Sequence, residues 1–281
     1  MSEPNQKPPE NPEEKLKIYF LPNLLTTGNL FCGFVALTKI VDADPYSEHY
    51  FDQIKLSLGF ILLACIFDLM DGRVARMGGV ESPFGREFDS LADLISFGVA
   101  PAFLVQRVVL ADVFGQYHQI GWFIASIYLI CGAFRLARFN CLATMGASGS
   151  KDFLGFPIPS AAGLVASLTL LIMHFNTDGK SLGNFWNYVI AAVLIFLSAM
   201  MVSTVRYPSF KSLGLRSTNT FTKAIGVAIF IGALFILQEK ILYYVLPAFF
   251  TLYLVYGFVR PSLSRAWRRE IEEEDDEHET D

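Results

Sequence analysis

Long apolar stretches separated by short polar segments dominate the chain. Eight of them run approximately over residues 24–41, 55–76, 90–110, 120–139, 157–175, 186–205, 222–237 and 240–259. A helix needs ~20 apolar residues to cross the hydrocarbon core of a bilayer. Most of the eight stretches reach that length, and the seventh is the shortest. The pattern predicts an all-α, polytopic membrane helix bundle with about eight transmembrane helices, antiparallel where the connections are short.

Composition and charge agree with a membrane protein and predict its orientation. Charged residues make up 17% of the chain and hydrophobic residues 53%, whereas soluble domains carry roughly 25% charged residues. With the N-terminus in the cytoplasm, 17 of the 22 lysines and arginines fall on the inner side, and the outer segment 41–53 has none. Because positive charge accumulates in cytoplasmic loops, we expect a multi-pass protein of the cell (inner) membrane with both termini cytoplasmic.

Four aspartates stand where the second apolar stretch ends and the third begins. Asp68 and Asp71 share one helical face, and Asp89 and Asp93 share another with Gly85 if the third helix starts early. Carboxylates in such segments are expensive and usually functional, although helix-capping or salt-bridged acids are the alternative. Two antiparallel helices would bring all four together near the cytoplasmic boundary. Like charges so close need cations, and oxygen ligands favour Mg²⁺.

Small and basic residues accompany these acids. Gly72 and Ala75 remove side-chain bulk beside the carboxylates, so that a nucleotide or diphosphate could approach the helix backbone. Arg76 adds a fixed positive charge suited to a phosphate. The four histidines and four cysteines show no metal-site spacing, and the cysteines are interpreted as small buried apolar residues.

The full spacing is Asp68-x2-Asp71-Gly72-x2-Ala75-Arg76-x8-Gly85-x3-Asp89-x3-Asp93. It resembles, without a departure, the signature of the CDP-alcohol phosphotransferase family. The resemblance implies a six-helix catalytic core, a homodimer, a site for two divalent ions (Mg²⁺ or Mn²⁺) and release of CMP. It also implies that Asp68, Asp71 and Asp89 hold metal, with Asp93 completing the metal site and acting as the base. Gly72, Ala75, Arg76 and Gly85 would line the CDP diphosphate.

Composition, apolar patterning and that resemblance together suggest a division of the chain. Residues 1–18 are expected to form a disordered cytoplasmic tail, and 19–220 the catalytic membrane core. Two additional transmembrane helices would follow in 221–260, and a basic, then acidic, cytoplasmic tail in 261–281.

Four further segments resemble the membrane-embedded phosphatidylserine synthases of bacteria and archaea. They are PNLLTTGNLFCGFVAL (22–37), DSLADLISFGVAPA (89–102), FRLARFN (134–140) and FLGFPIPSAAG (153–163). This resemblance implies transfer of a phosphatidyl group from CDP-diacylglycerol to L-serine. Use of another acceptor, glycerol 3-phosphate or an inositol phosphate, remains the alternative.

Four polar residues within these segments are candidates for substrate binding. Thr26 and Asn29 would face the CDP group by resemblance, or else make interhelical hydrogen bonds. Arg135 and Arg138 would bind the serine carboxylate or a lipid phosphate, or else anchor the helix end as positive-inside residues.

Functions of other classes fit the pattern less well. A cation or proton transporter would spread ionisable residues along a path through the membrane, whereas these acids cluster at one side. A non-catalytic scaffold or lipid-binding protein would not need the acids at fixed spacing. No cysteine or histidine is placed for a covalent intermediate, so direct transfer is expected. The expected partners are the two substrates, the lipid bilayer and a second copy of the chain, with no nucleic acid.

Overall fold

The computed structural model describes residues 20–78, 82–114, 117–144, 152–177, 183–208 and 239–259. The predicted seventh apolar stretch, 222–237, and both predicted tails lie outside these ranges.

Helices make up nearly all of the described chain. The first two are α1 (Phe20–Asp42) and α2 (Tyr50–Gly78). A third helical run follows as α3 (Pro83–Asp93), a π-helical segment π1 (Leu94–Val99), α4 (Ala100–Val105), a second π-helical segment π2 (Gln106–Leu110) and α5 (Ala111–Val113). The remaining helices are α6 (His118–Thr144), α7 (Ile158–Thr177), α8 (Gly183–Val202) and α9 (Glu239–Val259). Two short strands, β1 (Asp152–Leu154) and β2 (Arg206–Pro208), pair antiparallel.

Within the described ranges, five helical segments are long and apolar enough to cross a membrane: Asn23–Asp42, Tyr50–Val74, Pro83–Leu110, Gln119–Thr144 and Ile158–Phe175. Shorter apolar helices cover Trp186–Val202 and Tyr243–Gly257. The predicted all-α class and the multi-pass membrane character are confirmed. Seven of the eight predicted stretches coincide with helices, within the ranges that the structure describes.

The third helical run begins well before its apolar stretch. Ser82 is the N-cap, and its hydroxyl accepts a hydrogen bond from the Gly85 amide at 3.0 Å. Pro83 follows at the first helical position, where a missing N–H costs nothing. Because the helix is established by Pro83, Gly85, Asp89 and Asp93 do lie along one helical face, which was the condition for the four acids to converge.

Close backbone contact holds the first and third helical regions together. A Cβ added at Gly33 of α1 would lie 2.7 Å from the Ser96 Cα in π1. Membrane helices use such small residues to approach closely, because there is no hydrophobic driving force between them. Helix α1 also packs along α2, while α6 packs on α8 and α7 on α9.

The β1–β2 ribbon joins the segment before α7 to the segment after α8. Gly155, directly after β1, has φ +79°, a left-handed conformation that favours glycine. Its amide donates to the Val205 carbonyl at 2.8 Å, and the Phe156 amide donates to Met200 at 3.1 Å. These bonds tie the start of α7 to the end of α8.

Candidate active site

Three carboxylates meet where the end of α2 faces the beginning of the third helical run. Oxygen atoms of Asp68, Asp71 and Asp89 all lie within 4.8 Å of one another. Asp71 is buried, and the other two are partly buried. The convergence expected from the two helical faces is therefore present for these three acids.

Asp93 lies one helical turn beyond Asp89 and is buried, with 6% of its surface exposed. Its carboxylate is within electrostatic reach of Asp68, Asp89 and Asp71. It does not belong to the set of three whose oxygens meet within 4.8 Å. The structure thus distinguishes three clustered acids from a fourth one deeper along the same face.

Helix α1 supplies hydrogen-bond donors to two of the acids. The Thr26 hydroxyl donates to Asp71 Oδ2 at 2.9 Å, and the Asn29 side-chain amide donates to Asp93 Oδ1 at 3.0 Å. Of the two alternatives for Thr26 and Asn29, interhelical hydrogen bonding is observed, and a contact with the CDP group stays a prediction. They do make interhelical hydrogen bonds, and the acceptors are the acids of the site itself.

The cluster fits a divalent metal ion by its donor set. Asp89 Oδ1 is buried and has no hydrogen-bond partner. The same is true of Asn29 Oδ1. A buried, unpaired carboxylate oxygen is costly unless a cation satisfies it. Carboxylate oxygens are hard ligands, which Mg²⁺ and Mn²⁺ prefer. These acids could hold such an ion.

Arg135, on α6, is buried, with 8% of its surface exposed. Its guanidinium interacts electrostatically with Asp93 and Asp68, and its Nε has no hydrogen-bond partner. A surface anchor would extend into the headgroups and water, whereas Arg135 is enclosed beside the acids.

Arg138, one turn later, is bound to backbone. Its guanidinium donates to the carbonyls of Val202 at 2.8 Å, Leu154 at 2.9 Å, Ser203 at 3.1 Å and Met201 at 3.2 Å. These carbonyls belong to β1, to the end of α8, where helical carbonyls lack intrahelical partners, and to Ser203 directly after it. Arg138 therefore joins the ribbon to α8. Its expected role in substrate binding stays a prediction.

The remaining predicted residues lie on α2 and α3, close in sequence to the acids. Gly72 is partly buried one position after Asp71, and Gly85 lies in the first turn of α3. A Cβ added at Gly85 would lie 3.6 Å from the Asn23 side-chain oxygen, so α1 passes close by. Ala75 and Arg76 are in α2, but their side chains lie outside the described part of the chain.

Several polar contacts at the site were not predicted from sequence. The Ser96 hydroxyl donates to the Asn29 carbonyl at 3.0 Å, and the Tyr128 hydroxyl donates to the Phe97 carbonyl at 3.0 Å. Asn140 donates to Glu87 and contacts Ser90, which links α6 to α3. Ser96 follows Asp93 by three residues, a spacing that could have indicated its place on the same side of the helix.

Fold and site together define a multi-pass membrane protein with a carboxylate centre built on two consecutive helices. The family model for CDP-alcohol phosphatidyltransferase matches residues 19–204. The chain belongs to this family and is an enzyme of the CDP-alcohol phosphotransferase class, as its signature indicated.

Three individual proteins are similar to this chain over two thirds or more of its length. The chain is 34% identical over 244 residues to the CDP-diacylglycerol--serine O-phosphatidyltransferase of Helicobacter pylori, covering 86% of this chain and 91% of that protein. It is 33% identical over 193 residues to the Bacillus subtilis enzyme of the same name, covering 68% and 92%. An archaetidylserine synthase from Methanothermobacter thermautotrophicus is 32% identical over 197 residues, covering 69% and 72%.

Proposed function

We propose that this protein transfers the phosphatidyl group of CDP-diacylglycerol to L-serine, giving phosphatidylserine and CMP, at the cytoplasmic face of the cell membrane. The observation that carries the proposal is the cluster of Asp68, Asp71 and Asp89 in a chain of this family. Serine as the acceptor is supported by relatives of that activity that match most of the chain.

Asp68, Asp71 and Asp89 are the residues that would hold the divalent ions, with Asp93 completing the set. The unpaired Asp89 Oδ1 supports this role. When bound, two Mg²⁺ or Mn²⁺ ions supply positive charge that neutralises the donor diphosphate. The Thr26 hydroxyl fixes one oxygen of Asp71, so that this carboxylate is oriented before any ligand arrives.

The donor diphosphate would lie at the mouth of the cluster. Thr26, Gly72 and Gly85 are proposed to line it, with Ala75 and Arg76 following on α2, whereas Asn29 is fully buried against Asp93. Because the acyl chains stay in the bilayer, the reacting phosphorus remains near the membrane boundary, where α2 ends and α3 begins.

Asp93 is proposed to accept the serine proton. The serine oxygen forms a bond to the phosphorus that carries diacylglycerol, and the bond from that phosphorus to the bridging oxygen breaks. CMP leaves with the bridging oxygen, and the hydroxyl proton moves to Asp93. Asn29 holds Oδ1 of this carboxylate through its amide, which orients the group for the transfer.

Arg135 is proposed to bind the serine carboxylate or a lipid phosphate. It is enclosed near Asp93 and Asp68, and its Nε remains available. Arg138 retains the same proposed role, although its Nη atoms already donate to four backbone carbonyls. Arg135 is therefore the better supported of the two.

A transport function receives no support from the described ranges. Their buried charged side chains are Asp71, Asp93 and Arg135, and all three belong to this one site. A transport path would need further ionisable groups at other depths of the membrane.

An acceptor panel tests the proposal. Purified protein in detergent or liposomes is given CDP-diacylglycerol and Mg²⁺ with serine, glycerol 3-phosphate, inositol 1-phosphate or water alone, and CMP release is measured. We expect release with serine to exceed every other arm, together with formation of phosphatidylserine. Faster release with another acceptor would contradict serine specificity while leaving the class of reaction intact.

A homodimer is proposed from the family resemblance alone. Cross-linking of the protein in native membranes, or its mass in detergent by light scattering, would test it. A monomer under both conditions would contradict it.

A further inference from the structure

The hydrogen bonds around Asp93 continue through Asn29 to Ser96. Asn29 is fully buried and joins two partners on the third helical run. Its side-chain amide donates to Asp93 Oδ1, and its backbone carbonyl accepts from the Ser96 hydroxyl at 3.0 Å. Ser96 is also fully buried. Asp93 and Ser96 lie three residues apart, so α1 is held at two neighbouring points of the same helix.

The bond from Ser96 is not needed to satisfy the backbone. As a carbonyl within α1, Asn29 O lies in the regular pattern in which helical carbonyls accept from the amide four residues later. Its bond from Ser96 is therefore an additional, interhelical one. The other described buried serines of the helices, such as Ser198, donate to a carbonyl of their own helix.

The backbones of α1 and π1 pack so closely that a shift of Ser96 would displace the segment of α1 that carries Asn29. A Cβ at Gly33, one turn after Asn29, would fall 2.7 Å from the Ser96 Cα, so the two backbones are in direct contact there. Ser96 also lies in π1, which begins directly after Asp93. π-Helical turns inside α-helices occur frequently at functional sites. The neighbouring carbonyl of this segment, Phe97 O, is bonded by Tyr128, so π1 is fixed on its other side as well.

We propose that Ser96 is a positioning residue for the transfer reaction: its hydroxyl fixes the Asn29 backbone, so that the Asn29 amide holds Asp93 in its reactive orientation. The inference rests on the proposed role of Asp93 as proton acceptor. Ser96 acts through Asn29 and does not contact donor or acceptor. Its loss should therefore lower turnover and leave both KM values nearly unchanged.

Kinetics of single variants give the first test. Ser96→Ala in the full-length protein is compared with the parent and with Ser198→Ala, a buried serine of α8 with a bond inside its own helix. We expect kcat of Ser96→Ala to fall about tenfold, with KM for CDP-diacylglycerol and serine within about twofold and a melting temperature close to the parent. Equal losses in Ser96→Ala and Ser198→Ala would overturn the inference. So would a loss of turnover in Ser96→Ala that matches its loss of folded protein.

A double-mutant cycle separates positioning from general stability. Ser96→Ala is added to Asn29→Ala and, separately, to Asp93→Asn. If Ser96 acts through the Asn29 amide on Asp93, it has no further effect on kcat in either background. An undiminished tenfold loss in both backgrounds would overturn the proposal.

The acceptor panel on the parent protein distinguishes failure of the proposed function from failure of the role proposed for Ser96. If the parent uses a different acceptor in the panel, the cycle is run with that acceptor, and the ratio of variant to parent still decides the role of Ser96. If the parent releases no CMP with any acceptor, the proposed function fails. The reaction for which Ser96 is proposed to position Asp93 then fails with it.

Discussion

Asp89 and Asp93 are the same residue type one helical turn apart, and their surroundings differ. Asp89 has a buried oxygen without a partner beside two other carboxylates. Asp93 is buried more deeply and has an amide donor on Oδ1. A carboxylate with an open oxygen suits a cation, and one that is oriented by an amide suits directed proton transfer. The proposed division of roles predicts different consequences for the two substitutions.

For Asp89→Asn, we expect weaker binding of metal and donor, because a neutral amide is a poor ligand for Mg²⁺. Titration with Mn²⁺ followed by electron paramagnetic resonance measures the metal directly, without turnover. EDTA should abolish activity of the parent, and added Mg²⁺ or Mn²⁺ should restore it. Full activity of the parent in a strong chelator would contradict a metal site at this cluster.

For Asp93→Asn, turnover is expected to fall by the roughly 10²–10⁴-fold typical of losing general base catalysis. Donor and metal affinity should stay near the parental values, since the three clustered acids remain. Binding of CDP-diacylglycerol and the single-turnover rate measure the two quantities separately. The four acids interact electrostatically, so a modest change in metal affinity is compatible with the proposal. Near-parental turnover would remove Asp93 from the base role.

At the scale of helices, the apolar pattern of the sequence was sufficient to predict those helices that depend only on length and polarity. The apolar stretches 55–76 and 120–139 became α2 and α6 with only their ends extended, because about 20 apolar residues form a spanning helix in nearly any context. The facing of Asp68, Asp71 and Asp89 followed from helical periodicity and one short connection.

The features that patterning missed depend on contacts between distant segments. The π-helical segment after Asp93 leaves no periodic signal in a mostly apolar run. Tyr128, which bonds its Phe97 carbonyl, lies on another helix. The β1–β2 ribbon joins residues 152–154 to 206–208, and each strand is too short to show alternation. The backbone bonds of Arg138 were also missed, because its four carbonyl partners lie on distant segments that sequence could not locate.

Two glycines, Gly257 of α9 and Gly59 of α2, give a test at this scale. A Cβ at Gly257 of α9 would overlap the Tyr207 ring of β2, whereas one at Gly59 of α2 would meet nothing within 4 Å. Alanine at an unhindered helical position stabilises a helix by up to roughly 1 kcal/mol relative to glycine. We therefore expect Gly257→Ala to lower the melting temperature in detergent and Gly59→Ala to leave it equal or higher. Equal effects of the two would show that α9 does not dock as described.

At the scale of the whole molecule, the orientation in the membrane is the principal prediction. The loop 41–53 lacks basic residues, whereas 17 of the 22 lysines and arginines fall on the other side. A cysteine introduced in that loop, in a background without the native cysteines, should react with an impermeant maleimide added outside intact cells. One introduced at 79–81 should react only after the cells are opened. The reverse pattern would place the site away from donor that is made in the cytoplasm.

The positions of the acids and of their hydrogen-bonding partners in the sequence determine the order in which the parts of the site are synthesised. The N-terminal helices α1, α2 and the beginning of the third helical run contain the acids of the site and the hydrogen-bonding partners described above: Thr26, Asn29, the four aspartates and Ser96. Chains leave the ribosome N-terminus first, at about 5–20 residues per second. The segments that carry the carboxylates and their donors are therefore made before α6, which brings Arg135. A nascent chain halted after α5 would already contain the proposed cation ligands, while the arginine proposed to recognise the acceptor would still be unmade.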